Sequence, residues 1–491
     1  MKKNLKILMI SSEAVPFANT GGLADVVGSL PRELVKLGCE VRLILPKYRM
    51  VDNALKELKK RPKKILTNFT VNINNRSELA NIYNLKMHEK LEFYFIDKKN
   101  YFDREGLYGD EYGEYRDNAE RFSLFCSASL QLLKKIKWQP DIIHCNDWQT
   151  GLVPAYLKTK YNQDEFYQKI KSVFTIHNLA YQGLFASSKI NTFGLNVSDY
   201  TLDKFEFYHR INLLKAGLVY ADFLTTVSPT YAKEIQTLEF GCGLEGALRN
   251  LSHKLVGILN GIDYKDWDPK TDKKLKANYS IKNLNGKKEN KKYLKKLCGF
   301  DKEDKDIPII GIVSRLADQK GFDILYECIE KVVTLNLKFV VLGVGEKKYH
   351  DMWNHLMKIY PNKVKAFLKY DALFAQQIYA GADMFLMPSH FEPCGLGQLI
   401  SLRYGTVPIV NNVGGLADTI QDFDEQERTG NGFLMTKYSS SELLRIIKRA
   451  IILYQNPEVW QIIIENGMKQ DFSWKHSAGE YLELYRVIAH G

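Results

Sequence analysis

At 491 residues the chain exceeds the size at which one hydrophobic core keeps growing, so two domains are expected. A hydrophobic content of 45% supplies large cores, yet the longest apolar runs are only strand-length, which excludes a transmembrane helix and sets a membrane partner aside. The 69 Lys and Arg against 57 Asp and Glu leave a formal charge of +12, but neither aromatic–arginine interleaving nor zinc-finger spacing accompanies it, so no nucleic-acid partner is expected. A lysine-rich surface accounts for the excess, and a basic cleft would suit phosphorylated or nucleotide-linked substrates. The seven cysteines are odd in number and lack C-x-x-C spacing, which fits reduced thiols and a cytoplasmic location.

Met1-Lys2-Lys3-Asn4 has the charge of a signal-peptide start, but Leu5 to Ile10 is too short and contains Lys6; it reads as a first strand. A loop through Thr20-Gly21-Gly22 follows, and then Leu23, Val26, Val27, Leu30, Leu34 and Leu37 recur at helical spacing until Gly38. Pro31 is expected to kink that helix or split it. Val41 to Leu45 completes a βαβ unit. Residues 100–117, rich in Tyr, Asp, Glu and Gly, read as a loop suited either to lining a sugar site or to surface packing. Further strands are expected at Asp141 to His144, Ser172 to Ile176 and Phe223 to Val227. The Lys/Asn-rich stretch 268–306 reads as connection and irregular helix. The alternation then restarts with Ile307 to Val313, Lys338 to Leu342, Val364 to Leu368, Asp383 to Met387 and Val407 to Val410. Ser477 to Ala489 is an amphipathic tail. Two α/β arrays in series imply an α/β fold of two doubly wound domains facing across a cleft.

Ligands of doubly wound sheets bind at the carboxyl ends of strands, which directs attention to the residues just after each one. After the first strand come Asn19-Thr20-Gly21-Gly22 and then Asp25; after Ile176 come His177-Asn178. Val313 leads to Ser314-Arg315 and then Lys320-Gly321, and Leu342 leads to Gly343-Val344-Gly345. Leu368 leads to Tyr370-Asp371. Past Met387, Pro388 and Pro393 force a turn that carries Glu392, and Gly395 and Gly397 allow close backbone approach before a helix whose free N–H groups attract phosphate. Two cations, an acid, a histidine and glycine loops suit a transferase acting on a diphosphate-linked group. Each residue taken singly has a plainer reading: Glu392 as a helix-initiating acid, Arg315 and Lys320 as surface cations, His177 as a strand-end histidine, Asn260-Gly261 as a turn or a hinge. His144 and Asp147 lack further ligands at metal-binding spacing, so no metal is expected.

The chain resembles, over nearly its full length, the bacterial and plastid type of glycogen/starch synthase, retaining glucosyltransferases of the GT-B fold. The matching stretches are Ser-Ser-Glu-Ala-Val-Pro-Phe at 11–17, Thr-Gly-Gly-Leu-Ala-Asp-Val at 20–26, Asn-Asp-Trp-Gln-Thr-Gly-Leu at 146–152 and Thr-Ile-His-Asn-Leu-Ala-Tyr-Gln-Gly at 175–183. They continue with Thr-Val-Ser-Pro-Thr-Tyr-Ala at 226–232, Gly-Leu-Glu-Gly at 243–246, Leu-Asn-Gly-Ile-Asp at 259–263, Ser-Arg-Leu at 314–316, Gln-Lys-Gly at 319–321 and Phe-Glu-Pro-Cys-Gly-Leu at 391–396.

The resemblance implies an ADP-glucose donor, an α-1,4-glucan acceptor, no cofactor and no metal. It implies an N-terminal domain over residues 1–260, a C-terminal donor-side domain over 261–471, and a last helix, 472–491, packing back on the first domain. It assigns Arg315 and Lys320 to the donor diphosphate, His177 to the sugar, Asp25 to the vicinity of the glucosyl site and Glu392 to the sugar cation or its hydroxyls. Tyr370 would stack on the base, and Gly21 and Gly22 would offer backbone donors to phosphate. Asn19, Thr20, Asn178, Trp148, Asn260, Leu396, Gly395 and Gly397 complete the binding set, with Cys394 packing beside the site. Asn19 stands where the family usually has lysine, Gly397 where it has threonine, and Ile400 where many retaining relatives carry a second glutamate. The alternatives are a different donor such as UDP-glucose, or a glucan-binding paralogue with impaired turnover.

Overall fold

The computed structural model describes residues 4–300 and 307–490. Met1–Lys3 at the expected charged start, the last six residues of the 268–306 stretch and the final residue of the expected 472–491 helix lie outside them. The chain divides into two compact units: residues 1–227, 232–258 and 474–491 form the first, and 228–231 with 259–473 the second. The sequence reading closes the first domain at 260 and keeps 228–231 within it. Those four residues join the second unit because Ser228 Oγ donates to the Pro393 carbonyl at 2.6 Å, while Thr230 gives both its N–H and its hydroxyl to Asp418 at 2.8 and 2.7 Å.

The first unit is built on a nine-stranded sheet. In spatial order its strands are Leu255–Gly257, Phe223–Thr226, Lys171–Ile176, Ile142–Asn146, Lys6–Ile10, Glu40–Pro46, Leu91–Asp97, Arg76–His88 and Lys63–Ile73. The first seven pair in parallel, and the last two are added by antiparallel pairings. The parallel strands are mainly apolar and, in the centre of the sheet, buried on both faces. The antiparallel pair is absent from the sequence reading, because its half-exposed strands alternate polar and apolar residues without a continuous hydrophobic run. Helix Gly22–Lys36 is not split at Pro31: Leu23, Val26, Val27, Leu30, Pro31 and Leu34 are buried, and that packed face sustains the helix through the lost hydrogen bond.

The last helix, Trp474–His490, belongs to the first unit and buries Ala478, Tyr481, Leu482, Tyr485 and Ile488. It docks through a polar relay: Tyr485 Oη lies 2.6 Å from His144 Nδ1, His144 Nε2 is 2.5 Å from Thr175 Oγ1, and Thr175 is paired in turn with Thr225. Burial lowers the His144 pKa to about 3, so the imidazole is neutral and both nitrogens are spent on protein partners.

The second unit carries a six-stranded parallel sheet in the order Val364–Phe367, Lys338–Leu342, Ile309–Val313, Met384–Met387, Val407–Asn411, Phe433–Met435. Within the Lys/Asn-rich stretch, 285–297 is a regular helix rather than an irregular one, because Lys287, Asn290 and Leu294 fall on one face and are buried. The Lys287 ammonium sits among the carbonyls of Ala380, Ala382 and Tyr404 and the Thr406 hydroxyl at 2.7–3.3 Å. It thereby ties the C-terminal ends of helices Ala372–Gly381 and Gly397–Arg403 together. Among the described residues no helix is long and apolar enough to cross a membrane.

The relay at Tyr485 predicts two graded losses. Tyr485→Phe, which deletes only the hydroxyl, should cost the first unit about 1 kcal/mol. Tyr485→Ala, which also empties a buried ring site, should cost about 3–5 kcal/mol. Urea midpoints of the intact chain measure both, and equal midpoints for the two variants would refute this docking.

Candidate active site

In the first unit the loop after strand Lys6–Ile10 is shaped by a carboxylate that the sequence reading gives no role. Glu13 is 4% exposed and accepts the Thr20 N–H and the Thr20 hydroxyl, each at 2.6 Å, and the Tyr108 hydroxyl at 2.6 Å. Tyr108 comes from the 100–117 segment and also bonds Ser12 at 2.8 Å, so that segment does reach the loop. Thr20 is therefore committed to Glu13. Gly21 is extended at φ −177°, and a Cβ built on Gly21 or Gly22 meets nothing within 4 Å. Neither backbone strain nor protein packing requires glycine there; the open space lies at the start of a helix with Asp25 in its first turn. Asn19 is exposed beside them.

A second carboxylate, Asp147, holds the His177 loop. It accepts the His177 N–H at 2.8 Å and also bonds the Asn178 N–H. Burial raises its pKa to about 7, with the nearby Glu13 charge adding to the effect. Its φ of 55° is unusual for a non-glycine residue and places the carboxyl under that loop. His177 is 8% exposed, and burial together with His144 lowers its pKa to about 3. Its Nε2 faces Asn146 Oδ1 at 2.9 Å, while the Asn146 amide nitrogen donates to the Ile10 carbonyl. The imidazole is thus the neutral Nε2–H tautomer, with Nδ1 as the acceptor nitrogen. Trp148 is 6% exposed, packed against Phe122 and Phe185 and covered by Gly183, so it supports this loop from below.

In the second unit Lys320 Nζ lies 2.6 Å from Glu392 Oε2, and the Ser389 hydroxyl donates to the same oxygen at 3.0 Å. The Glu392 side chain is 8% exposed and that of Lys320 17%. Gly321 makes the pair geometrically feasible: φ is 77°, and a Cβ there would lie 2.0 Å from the Pro388 carbonyl oxygen. Exposed Arg315 donates to Gln319 at 2.8 Å, and the Gln319 carbonyl receives the His390 N–H at 2.9 Å. Gly343 and Gly345 serve packing, for Cβ atoms there would strike the carbonyls of Ser314 and Leu316 on either side of Arg315. Gly414 and Gly415, unassigned in the sequence reading, press likewise against the Glu392 and Cys394 carbonyls.

Gln398 clamps the turn through Cys394 and Gly395, which has φ 72°; Leu396 and Gly397 then open helix Gly397–Arg403. Cys394 is buried with its thiol pushed up to about 12 by burial, the state of a packing residue. Asn260 is 5% exposed and bonded to Cys394, and its Oδ1 is a buried acceptor with no protein partner. Tyr370 is 85% exposed, next to Asp371, which caps helix Ala372–Gly381 by accepting the Phe374 N–H. Within the second unit Lys320 meets Glu392 and Asn260 meets Cys394, and within the first Glu13 and Asp147 hold the Thr20 and His177 loops; Tyr370 stands apart from these contacts, and Trp148 and Cys394 are buried beneath them. Among the described residues no group of three or more His, Cys, Asp or Glu could hold a metal ion.

Comparison with known proteins finds relatives over both units. Residues 6–250 match the starch synthase catalytic domain and residues 299–470 the glycosyl transferases group 1. A glycogen synthase from Desulforudis audaxviator is 45% identical over 98% of this chain and 96% of its own, and one from Thermosipho melanesiensis is 47% identical over 98% of each. The catalytic domain of starch synthase IV from Arabidopsis thaliana, bound to ADP and acarbose, superposes with a TM-score of 0.89 at 34% identity, covering both chains fully. The chain belongs to the glycogen/starch synthase family. It is a glycosyltransferase with the two Rossmann-like domains of the GT-B fold.

Asp147 gives the site a pH signature. A carboxyl whose folded pKa is raised to about 7 contributes stability that is complete below its unfolded value near 3.8 and lost as pH rises to about 7. Asp147→Asn keeps an acceptor but does not titrate, so its stability relative to wild type should improve by on the order of 3 kcal/mol between pH 4 and pH 8. Thermal unfolding at both pH values checks this; a difference independent of pH would contradict it.

Proposed function

We propose that the chain transfers glucose from ADP-glucose to the non-reducing 4-hydroxyl of an α-1,4-glucan with retention of configuration. The observation that carries this reading is the Lys320–Glu392 pair, a buried carboxylate and a cation brought together by two adjoining turns beside an exposed arginine. Arg315 and Lys320 neutralise the donor diphosphate and the charge that grows on it as the glucosyl bond breaks, the largest catalytic contribution in such a site. Glu392 faces the sugar, where its charge opposes the cation developing at C1. Tyr370 offers its exposed ring to the base, and the orphan Asn260 Oδ1 awaits a donor hydroxyl or water.

In the first unit, Gly21 and Gly22 offer backbone N–H groups at an uncovered loop, and the acceptor nitrogen of His177 receives a hydrogen bond from the glucosyl moiety. Asn178 and Asp25 flank that position, and Asn19 is a neutral neighbour of the diphosphate. No carboxylate is assigned as nucleophile, so retention follows from front-side displacement. The C1–O bond to the diphosphate breaks with its electron pair going to the leaving oxygen. The acceptor O4 bonds C1 from the same face, and a phosphate oxygen takes its proton. The chain's two cations meet the charge requirement, and catalysis is metal-independent on this reading. Starch synthase IV bound to ADP and acarbose supports the donor and acceptor classes by likeness.

The decisive assay offers labelled ADP-glucose and UDP-glucose separately with glycogen, each with and without a chelator. ADP-glucose should give the higher kcat/KM and chelation should leave it unchanged. An equal or reversed donor preference sinks the donor assignment, and a loss on chelation restored by a divalent ion sinks the metal-free mechanism.

A further inference from the structure

A small three-stranded sheet in the first unit presents an aromatic residue in a conformation that its own packing does not explain. Strands Glu206–Phe207 and Arg210–Asn212 form a hairpin whose two tip residues, Tyr208 and His209, both have positive φ, 47° and 62°. Hairpin turns of this kind are ordinarily made by Asn-Gly or Gly-Gly, since paired left-handed residues with side chains are strained. The Glu206 carboxylate accepts the His209 N–H at 2.7 Å, and Lys215 donates to the Glu206 carbonyl at 2.7 Å, so the strained turn is actively held. The strain raises Tyr208 into solvent, where it is 74% exposed.

The tip is rigidly tied to the His177 loop. Strand Leu184–Ala186, which continues that loop, pairs with Arg210–Asn212. Asn212 Nδ2 donates to Gln182 Oε1 at 2.7 Å, and Gln182 Nε2 donates to the Cys242 carbonyl at 3.0 Å. The rings of Phe207 and Tyr208 sit 4.7 Å apart, edge to face, over Gly243, where a Cβ would come within 3.0 Å of Phe207 and 3.4 Å of Tyr208. Tyr181, 55% exposed, stands on the same frame, its N–H donating to the Asn178 carbonyl. Two exposed tyrosines are therefore carried on backbone tied to the residue proposed to hold the transferred sugar, the ring of Tyr208 being further packed on Phe207.

We propose that Tyr208, with Tyr181, is an acceptor platform on which an outer segment of the α-1,4-glucan chain stacks. This rests on the proposed glucan acceptor. A glucan presents the apolar C–H faces of successive rings along its length, and a rigid exposed phenol ring meets such a face with little entropy lost on binding. Neither tyrosine is among the donor contacts proposed above, and both stand on the frame of the loop proposed to hold the transferred sugar, which singles out the acceptor chain as the occupant.

The test replaces Tyr208 by asparagine, which removes the ring yet tolerates a positive φ, and His209 by glycine, which relaxes the same turn while keeping the ring. For Tyr208→Asn, KM for glycogen should rise about tenfold, with KM for ADP-glucose and the rate at saturating glycogen retained and thermal stability equal or higher. His209→Gly should keep the wild-type glycogen KM. An unchanged glycogen KM in Tyr208→Asn overturns the platform, as does an equal rise in both variants, which would trace to turn conformation.

Retardation in glycogen-containing native gels separates this from the reading beneath it. Retardation of the wild type that Tyr208→Asn loses supports the platform even if no donor supports transfer. Transfer by the wild type with equal retardation of both proteins overturns the platform and leaves the transferase reading intact.

Discussion

Lys320 and Glu392 meet because the chain has no side chain at 321. The turn that delivers the lysine passes so close under Pro388 that a Cβ would overlap the proline carbonyl, and Gly321 also supplies the left-handed φ the turn needs. Pro388 ends its strand, so the same few atoms stop the sheet, open the turn that carries Glu392 and seat the lysine against it. The neighbouring glycine loops repeat this device. Gly343 and Gly345 let one post-strand loop lie on another beside Arg315, and Gly414 and Gly415 back the Glu392 turn. A buried carboxylate without its cation would carry an uncompensated desolvation penalty, which the Lys320 ammonium offsets.

The first unit solves a related problem with two buried carboxylates. Glu13 takes up Thr20 and Tyr108 and leaves the glycines beyond it open, and Asp147 takes up the backbone of the His177 loop. Neither side chain is exposed, so their role is to set the shape of loops whose other atoms face solvent. The His177 tautomer follows from the same economy of partners: Asn146 uses its nitrogen on Ile10 and leaves only oxygen for the ring.

Most of the parallel strands were legible in the sequence because burial on both faces writes them as apolar runs, and the post-strand rule then pointed to His177, Arg315, Lys320 and Glu392; Leu91–Asp97, which Glu92 interrupts, and the three-residue strands Leu255–Gly257 and Phe433–Met435 were not. The antiparallel edge, residues 63–88, was not, since its exposed face breaks the run. Helix 285–297 was hidden by its lysines, one of which is buried and satisfied by carbonyls distant in sequence. Glu13, Tyr108 and Asp147 lay inside quoted motifs or segments, but which loop each would grip depends on contacts up to 96 residues apart, beyond any local pattern. Trp148 looked like a cleft residue and is buried because Gly183 lays backbone over its ring.

On the proposed reading, Lys320 serves a diphosphate while it neutralises Glu392. Calorimetric titration of ADP into wild type and into Lys320→Gln measures that directly, with circular dichroism to establish that the variant is folded. Loss of a charge-assisted contact of about 1.5–3 kcal/mol predicts an ADP affinity roughly 10- to 100-fold weaker in the variant. Wild-type ADP affinity in a folded Lys320→Gln protein would contradict the account.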